Sequence, residues 1–191
     1  EEPAEPLYTV EDAQAALDAV RFLIQMGHRR IAFIGAGKLY YSSQLRETGY
    51  RAALEEAGLP FSPELILNEG FTFNAGRRAA GRILAMEQRP DADFATSDSA
   101  AIGVISELTH KGLRVCDDIS VMGFDNNQVA EYYLPSLTTV SQPQVEIGQR
   151  AFGLLMNKIQ DLTCENENIL LPHRLELRDS VKDRRTPATK G

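Results

Sequence analysis

The sequence is short of cysteine and of long apolar runs. Its 191 residues include only two cysteines, Cys116 and Cys164, which lie far apart and have no metal-type spacing to the three histidines. The lack of a disulfide framework fits a reducing cytoplasm. No apolar run is long enough to span a membrane, and the acidic, proline-rich residues 1–10 are unlike a signal peptide. We therefore expect a cytoplasmic protein without a metal site or a membrane anchor.

Basic charge is also scarce. The net charge is -7 and the pI is near 5.0, whereas the contents of hydrophobic (43%) and charged (25%) residues are ordinary for a soluble globular protein. Binding to nucleic acid needs a basic patch, so this stretch is not expected to grip DNA itself. The acidity does not exclude a separate DNA-binding segment outside the chain. The length suits one domain, or one and a part.

Catalytic motifs are missing as well. The sequence contains no nucleophile elbow, no HExxH and no Walker A pattern. Gly35-Ala36-Gly37 invites a dinucleotide interpretation, but the fingerprint needs a third Gly or Ala where Tyr40 stands. Asp98 and Asp125 could approach each other at adjacent strand ends, although such carboxylates more often cap a helix and bind a ligand hydroxyl. We therefore expect no enzyme, no catalytic residue and no cofactor.

Strand and helix patterns alternate along most of the chain. Short apolar runs predict buried strands near residues 29–34, 64–68, 93–96 and 119–124, and amphipathic segments between them predict helices. Thr9-Val10-Glu11-Asp12 resembles a capping box at the start of the first helix. Because the connections are short, the alternation predicts an α/β fold with a parallel, Rossmann-like sheet flanked by helices.

The C-terminal third has a different pattern. Pro143 suits the first turn of a helix that runs to about Asp161. Residues 169–171 and 174–177 predict a late strand pair or one bent strand. The final residues, from about 183, are expected to be frayed.

Polar and aromatic residues recur at the predicted carboxyl ends of the strands, where ligands bind in open parallel sheets. The fourth strand ends in Asp125, Asn126 and Asn127, a pattern that also fits a plain turn. The other strand ends and their loops contribute Ser42, Ser43, Arg46, Glu69, Phe71, Ser97 and Asp98. Such a set suits a polyhydroxylated ligand such as a sugar, because hydroxyls pair with Asp and Arg while C–H faces stack on an aromatic ring. A solvated Arg46 and a core Phe71 remain the alternatives.

Several segments resemble motifs of the LacI/GalR family of transcription regulators. They are GHRRIAFIG (27–35), LRETGYRAALEEAGL (45–59), GFTFNAGRRAA (70–80), DFATSDSAAIGVISELTHKGLRV (93–115), DDISVMGFDNN (117–127) and LPSLTTVSQPQVEIGQRA (134–151). The motifs stand in family order from about Thr9 to Ser180. The resemblance implies a periplasmic-binding-protein-like (type I) fold of two α/β lobes, with a small-molecule effector in the cleft between them.

The resemblance also implies a division of the chain. Residues 1–8 would form a linker, and residues 9–136 with 168–180 would form the second, C-terminal lobe. Residues 137–167 would be a crossing strand and a helix of the first lobe, and residues 181–191 a flexible tail. Most of the first lobe and the DNA-binding head would lie outside the chain. We therefore expect operator DNA to be bound only through that head, and the chain alone to bind sugars weakly.

The resemblance implies effector-binding roles residue by residue. Arg46 stands at the effector-binding arginine of the family, Asp125 at the aspartate that accepts sugar hydroxyls, and Phe71 at or near an aromatic that stacks on the ligand. Ser97 occupies a position that is usually Asn, a departure consistent with a different effector. Asp98 is expected to cap its helix. Further candidates are Ser42 and Gln142.

Family members dimerise through this lobe. The residues that this implies at a homodimer interface are Ile102, Tyr132, Tyr133, Leu134 and Pro135, with packing inside one lobe as the alternative. The expected function is sensing of a sugar-like effector, together with dimerisation, in a regulator of operator binding. Two alternatives remain: a periplasmic sugar-binding protein of a transporter, and an α/β enzyme that modifies sugars or nucleotides.

Overall fold

A computed structural model describes residues 8–160 and 169–185 of the chain. The strands are β1 (Tyr8–Val10), β2 (Ile31–Gly35), β3 (Ile66–Asn68), β4 (Ala92–Ala95), β5 (Ser120–Asp125), β6 (Thr138–Ser141), β7 (Ile169–Leu171) and β8 (Arg174–Glu176). The helices are α1 (Asp12–Gln25), α2 (Tyr41–Glu56), α3 (Phe73–Leu84), α4 (Asp98–His110), α5 (Gln128–Tyr132) and α6 (Gln144–Ile159), with 3₁₀ turns at Gly37–Leu39 and Pro63–Leu65. None of the helices in these two ranges is both long and apolar enough to cross a membrane.

Six strands form the central sheet in the order β3-β2-β4-β5-β6-β8. All neighbours pair in parallel except β6 and β8, which are antiparallel. In β2 every residue is buried, because side chains of alternating direction meet a helical layer on each face. Ile31 and Phe33 join the core under α1 and α2, whereas Ala32 and Ile34 join the core under α3 and α4. The predicted parallel α/β sheet flanked by helices is confirmed.

Glycines allow the helices within each layer to approach closely. A β-carbon added to Gly49 of α2 would lie 2.0 Å from the carbonyl oxygen of Ala13 in α1. One added to Gly76 of α3 would lie 1.9 Å from the carbonyl oxygen of Ala100 in α4. The backbones therefore touch at these points, and the close α1–α2 contact brings the beginning of α1 next to the residues of α2 that face the site.

The start of α1 differs from the predicted capping box. Thr9 lies in β1, and the N-cap residue is Glu11, whose side chain makes no capping hydrogen bond. The carboxylate of Asp12 instead binds the guanidinium of Arg46, 34 residues away in sequence. The local spacing suggested a cap, but a buried cation within reach offers the carboxylate a stronger partner.

The predicted late strand pair separates into two sheets. β7 pairs in parallel with β1 in a small sheet of its own, whereas β8 pairs with β6 at the edge of the central sheet. Pro172 lies between them and has no backbone N–H, which suits a break in the ladder. β6, predicted to be part of a segment that crosses out of the lobe, lies within the central sheet with all four residues buried.

Residues 181–185 were predicted to belong to a flexible tail. Instead, they are hydrogen-bonded to the rest of the domain. The backbone N–H of Lys182 donates to Ser120 Oγ at 3.0 Å, and that of Arg184 donates to the carbonyl of Met26 at 2.7 Å. Residues 1–7, 161–168 and 186–191 lie outside the described ranges. They include Cys164, most of the predicted linker, the end of the predicted last helix and the rest of the predicted tail.

Candidate functional site

The carboxyl end of β5 forms a fixed and unusual turn. Asp125 and Asn126 have positive φ angles of 120° and 58°, a region that few residues other than glycine adopt. Side-chain contacts hold the turn. Gln142 donates to Asp125 Oδ1 at 3.2 Å, Asn126 Nδ2 donates to Ser141 Oγ at 3.1 Å, and Arg178 donates to Asn126 Oδ1 at 2.7 Å. Strained backbone held by its surroundings is typical of ligand sites.

Two carboxyl groups at this edge have raised pKa values. Burial raises the pKa of Asp125 to about 7, Arg46 opposes this rise, and the negative charges of Asp98 and Asp12 reinforce it. Burial raises the pKa of Asp98 to about 6, although Thr139 Oγ1 and the N–H of Asn127 both donate hydrogen bonds to its carboxylate. Asp98 thus accepts hydrogen bonds from the loop after β5 and from β6, and it does not cap its own helix. Near neutral pH, Asp125 is therefore protonated in some molecules and ionised in others. The protonated carboxyl can donate a hydrogen bond, whereas the ionised carboxylate only accepts.

Arg46 is buried and already has partners. Its Nε and Nη2 lie 2.8 and 2.7 Å from Asp12 Oδ1, and Nη1 donates to the carbonyl of Thr96 at 2.6 Å. The guanidinium carbon lies 3.7 Å from the ring centroid of Phe124, and the residue is 8% exposed. The solvated-helix alternative for Arg46 is therefore wrong. Each of its three nitrogens makes a contact within the protein.

Ser97 and Phe71 contact each other through the backbone. Ser97, rather than Asp98 as predicted, is the N-cap of α4, because its Oγ accepts from the N–H of Ala100 at 3.1 Å. The same Oγ donates to the carbonyl of Phe71 at 2.8 Å. The Phe71 ring is half-buried and packs edge-on against Tyr40, with 5.2 Å between ring centroids. The ring is therefore not a core residue, and it remains a candidate stacking surface.

A concavity at this edge lies between the ends of β5 and β6 and the first turns of α6. It has a volume of about 720 Å³. The residues that line it are Asp125, Asn126, Gln142, Pro143, Gln144, Val145, Glu146, Gln149 and Arg150. Two predicted site residues, Asp125 and Gln142, meet here, whereas Arg46, Phe71 and Ser97 do not line this cavity. The sequence analysis missed Gln144 and Gln149. The pattern that could have indicated them is a series of amide side chains that begins after a strand end and continues along one helix face.

The remaining candidates at the strand ends have mixed outcomes. Ser42 is half-buried, and its neighbour Ser43 is the one that binds the loop after β2, accepting from the N–H of Ala36 at 2.9 Å. Glu69 is ion-paired to Arg78 and Arg82 at 3.0 and 3.1 Å, so it serves the surface of α3. In residues 8–160 and 169–185, no group of three or more His, Cys, Asp and Glu side chains could hold a metal ion.

The residues predicted for a dimer interface fall into two groups. Tyr132 and Leu134 are 71% and 85% exposed, whereas Tyr133 is partly buried against the core. Pro135 is half-buried. Ile102 is 4% exposed and belongs to the core under α3 and α4, so its assignment to an interface is not supported by its burial. The helical period of α4 turns Ile102 inward, where the sequence alone allowed either face.

Comparisons with known proteins agree on one family. The model of the "Periplasmic binding protein-like domain" matches residues 20–181. Catabolite control protein A of Priestia megaterium is 36% identical over 178 residues, which is 93% of this chain and 54% of that protein. The structure of a LacI-family regulator from Sanguibacter keddieii is 32% identical with a TM-score of 0.85, over 94% of this chain and 69% of that one.

A further solved relative is a complex with a ligand. The complex of the transcriptional regulator CelR with cellobiose is 32% identical, with a TM-score of 0.88, over 94% of this chain and 55% of that one. The chain spans about half the length of the curated relatives that it matches.

Proposed function

This chain belongs to the LacI/GalR family of transcription regulators as a periplasmic-binding-protein-like domain, and from this premise we propose that it senses a small polyhydroxylated effector. The observation that carries the proposal is Asp125: a carboxylate at a strand end, in a strained turn, lining an open cavity together with three glutamine side chains. Carboxylates and amides accept from and donate to hydroxyl groups. The cellobiose complex of a relative supports a sugar-like effector.

Regulation is proposed to follow from binding rather than from chemistry. The relatives are named as repressors and regulators, which favours binding over turnover. An effector that binds one arrangement of two lobes more tightly would shift their population, and with it operator binding by a head domain. A protein that controls transcription acts where the DNA is, so we propose a cytoplasmic location.

The exposed face of α6 supports the proposed division into lobes. α6 has no buried residue, and its large apolar side chains are exposed to solvent. They are Val145, Phe152, Leu155 and Ile159. An apolar helix face of this size normally packs against another element. We propose that α6 belongs to the first lobe, as in that division, so that the cavity beside Asp125 is one wall of the effector cleft. The small β1–β7 sheet, which the division placed in the second lobe, is separate from the central sheet, and we propose that it belongs to the first lobe as well.

Replacing Asp125 by asparagine tests the proposed effector site. Sugar hydroxyls donate best to an ionised carboxylate, so we expect Asp125→Asn to weaken binding of neutral sugars by roughly ten- to a hundred-fold. Burial raises the pKa of Asp125 to about 7, so binding by the unchanged protein should strengthen as the pH rises from 6 to 8. Titration of a panel of neutral sugars, followed by backbone NMR shifts at Asn126, measures both effects.

Asp117→Asn is the matched control for this substitution. Asp117 is an exposed aspartate, paired with Lys182, and removing its charge should leave sugar binding unchanged. Equal weakening in both variants would point to net charge alone. Undiminished sugar binding by Asp125→Asn at every pH would contradict the proposed role.

The exposed apolar side chains around α5 suggest a homodimer contact. Leu134 is 85% exposed beside Tyr132, and burial of such side chains against a second copy would stabilise a dimer. We expect Leu134→Asp to shift the protein from dimer to monomer, with the dissociation constant raised at least roughly a hundred-fold. Sedimentation velocity over a concentration series measures this change.

Leu39→Asp is the control for that experiment. Leu39 is 93% exposed in the 3₁₀ turn after β2 and is not among the residues predicted for the interface. It should leave the oligomeric state unchanged. A monomer in the unchanged protein at high concentration would rule out the proposed interface.

A further inference from the structure

The charge balance around Arg46 points to the class of effector. Arg46 was expected to bind the effector, yet Asp12 already occupies it through contacts of 2.7 and 2.8 Å to one carboxylate oxygen. The third guanidinium nitrogen, Nη1, donates to the carbonyl of Thr96 at 2.6 Å, and the ring of Phe124 covers one face of the guanidinium. A buried ion pair in such geometry is strongly held, because separating it leaves a charge without a partner.

The packing of the helices fixes Asp12 in this position. Gly49 of α2 touches the backbone of Ala13, the residue after Asp12, at a distance that any side chain at position 49 would prevent. Gly49 lies three residues after Arg46 on α2 and therefore on the same side of the helix. The close contact between the helices thus carries the carboxylate of Asp12 directly to the guanidinium of Arg46.

The other charges near the cavity leave little positive potential. Arg150 is the basic residue in the cavity lining, and it pairs with Glu146 at 2.7 Å. Arg178 keeps its positive charge, because its partners at 2.7 Å, Asn126 and the carbonyl of Leu137, are neutral, but it does not line the cavity. Asp125 lines the cavity and has no salt-bridge partner within residues 8–160 and 169–185, where the guanidinium of Arg46 is paired with Asp12. The cavity lining therefore presents hydrogen-bond acceptors and, when Asp125 is ionised, a carboxylate whose charge no cation of the lining balances.

We infer that Asp12 is the residue that sets the effector class: by occupying Arg46 it reserves the site for neutral or cationic, hydroxyl- or amine-rich effectors and rejects anionic ones. This inference rests on the proposed function: Arg46 does not line the cavity, but Arg46 and Asp12 act electrostatically on Asp125, which does. An anionic effector would have to displace Asp12 from Arg46 or bind beside Asp125 without a free cation, and either route is unfavourable. Asp12 acts through Arg46 and is a positioning residue.

Inorganic phosphate is a suitable probe of the inference. In the unchanged protein we expect no saturable shift of the Arg46 Nε–H signal in ¹H–¹⁵N spectra as phosphate is added. In Asp12→Asn the guanidinium loses its charged partner, so phosphate should bind at Arg46 at least roughly ten-fold more tightly. The pKa of Asp125 should fall in the same variant, because Asp12 no longer raises it. Loss of an unrelated structural contact would produce neither change.

Asp18→Asn is the matched control, since Asp18 is a half-buried aspartate on the same helix that pairs with Arg21. It should leave both readouts unchanged. Tight phosphate binding at Arg46 in the unchanged protein, or a folded Asp12→Asn without a gain, would overturn the inference. Should Asp12→Asn fail to fold, Asp12→Ser decides by the same readouts, and if neither variant folds Asp12 is purely structural and the inference falls.

The two proposals can fail separately. The sugar titration of Asp125→Asn reads the cavity end of β5, whereas the phosphate titration reads Arg46. A phosphate gain without any sugar binding would support the role of Asp12 and overturn only the sugar-sensing function. Sugar binding without a gain in phosphate binding would support the sugar-sensing function and overturn the role of Asp12.

Discussion

Replacing Asp93 by valine is expected to stabilise the protein by about 3 kcal/mol or more at pH 7. Asp93 lies in the middle of β4, fully buried, and neither carboxylate oxygen has a hydrogen-bond partner within residues 8–160 and 169–185. Burial raises its pKa well above the usual range, and the nearby charge of Asp91 raises it further. Its neighbours across the sheet are Ala32 and Val121, so valine suits both the strand and the apolar core.

The pH dependence of stability provides a second readout for Asp93. The folded-state pKa is raised, so its contribution is fully present below the unfolded-state value of about 4 and is lost as the pH rises towards the folded-state pKa. The stability of the unchanged protein should therefore fall across this window by up to about 1.4 kcal/mol per pH unit. Asp93→Val should lack this component in urea denaturation measured from pH 4 to 8.

Asp91→Ala is expected to change stability in the opposite direction. Asp91 Oδ2 accepts the backbone N–H groups of Arg29 and Arg30 at 2.9 and 3.2 Å, and its pKa is lowered by these bonds and by His28 despite burial. Its loss removes the acceptor of these two backbone N–H groups and the partner of the buried His28, and should destabilise the fold by about 2 kcal/mol. A destabilised Asp93→Val variant would mean that the Asp93 carboxyl has an important partner.

Replacing Gly76 by alanine should destabilise the protein by about 3 kcal/mol or more. The new β-carbon would lie 1.9 Å from the carbonyl oxygen of Ala100 and 2.9 Å from the backbone N of Val104, so α3 and α4 would have to move apart. Both neighbours are backbone atoms and cannot rotate away. Urea denaturation with an unchanged slope would report the loss directly.

Gly81→Ala is the matched control on the same helix. An added β-carbon there has no neighbour within 4 Å, and alanine is the better helix former, so this variant should gain about 0.5–1 kcal/mol. The two substitutions are chemically identical and differ only in what faces the helix. Similar effects from both would contradict the close approach of α3 and α4.

The architecture was accessible from local patterns. The apolar runs of β2, β4 and β5 can be distinguished from the helices between them because buried strands and amphipathic helices have different sequence periods. Their alternation, with short connections, predicts a parallel sheet. Asp125 could be picked out because it directly follows such a run. A cap at the start of α4 was also expected, although it was assigned to Asp98 and the hydroxyl of Ser97 provides it.

Pairings between remote residues were not accessible in the same way. The acid at position 12 fitted a capping box three residues after Thr9, but its carboxylate binds Arg46. β7 and β8 are separated by only two residues, yet each pairs with a strand that is distant in sequence. The inward direction of Ile102 likewise depends on the packing of α4.

By itself, the sequence determined the alternation of strands and helices, the family and the placement of Asp125 at a strand end, because each depends on residues close together in the chain. The tertiary structure alone decided that Arg46 is paired with Asp12, that Asp93 is buried without a hydrogen-bond partner among the described residues, and that the backbone of α4 lies against Gly76. Those properties depend on which distant atoms come within a few ångströms of each other. Burial and close approach are set by the packed helices and sheet, and no local pattern records them.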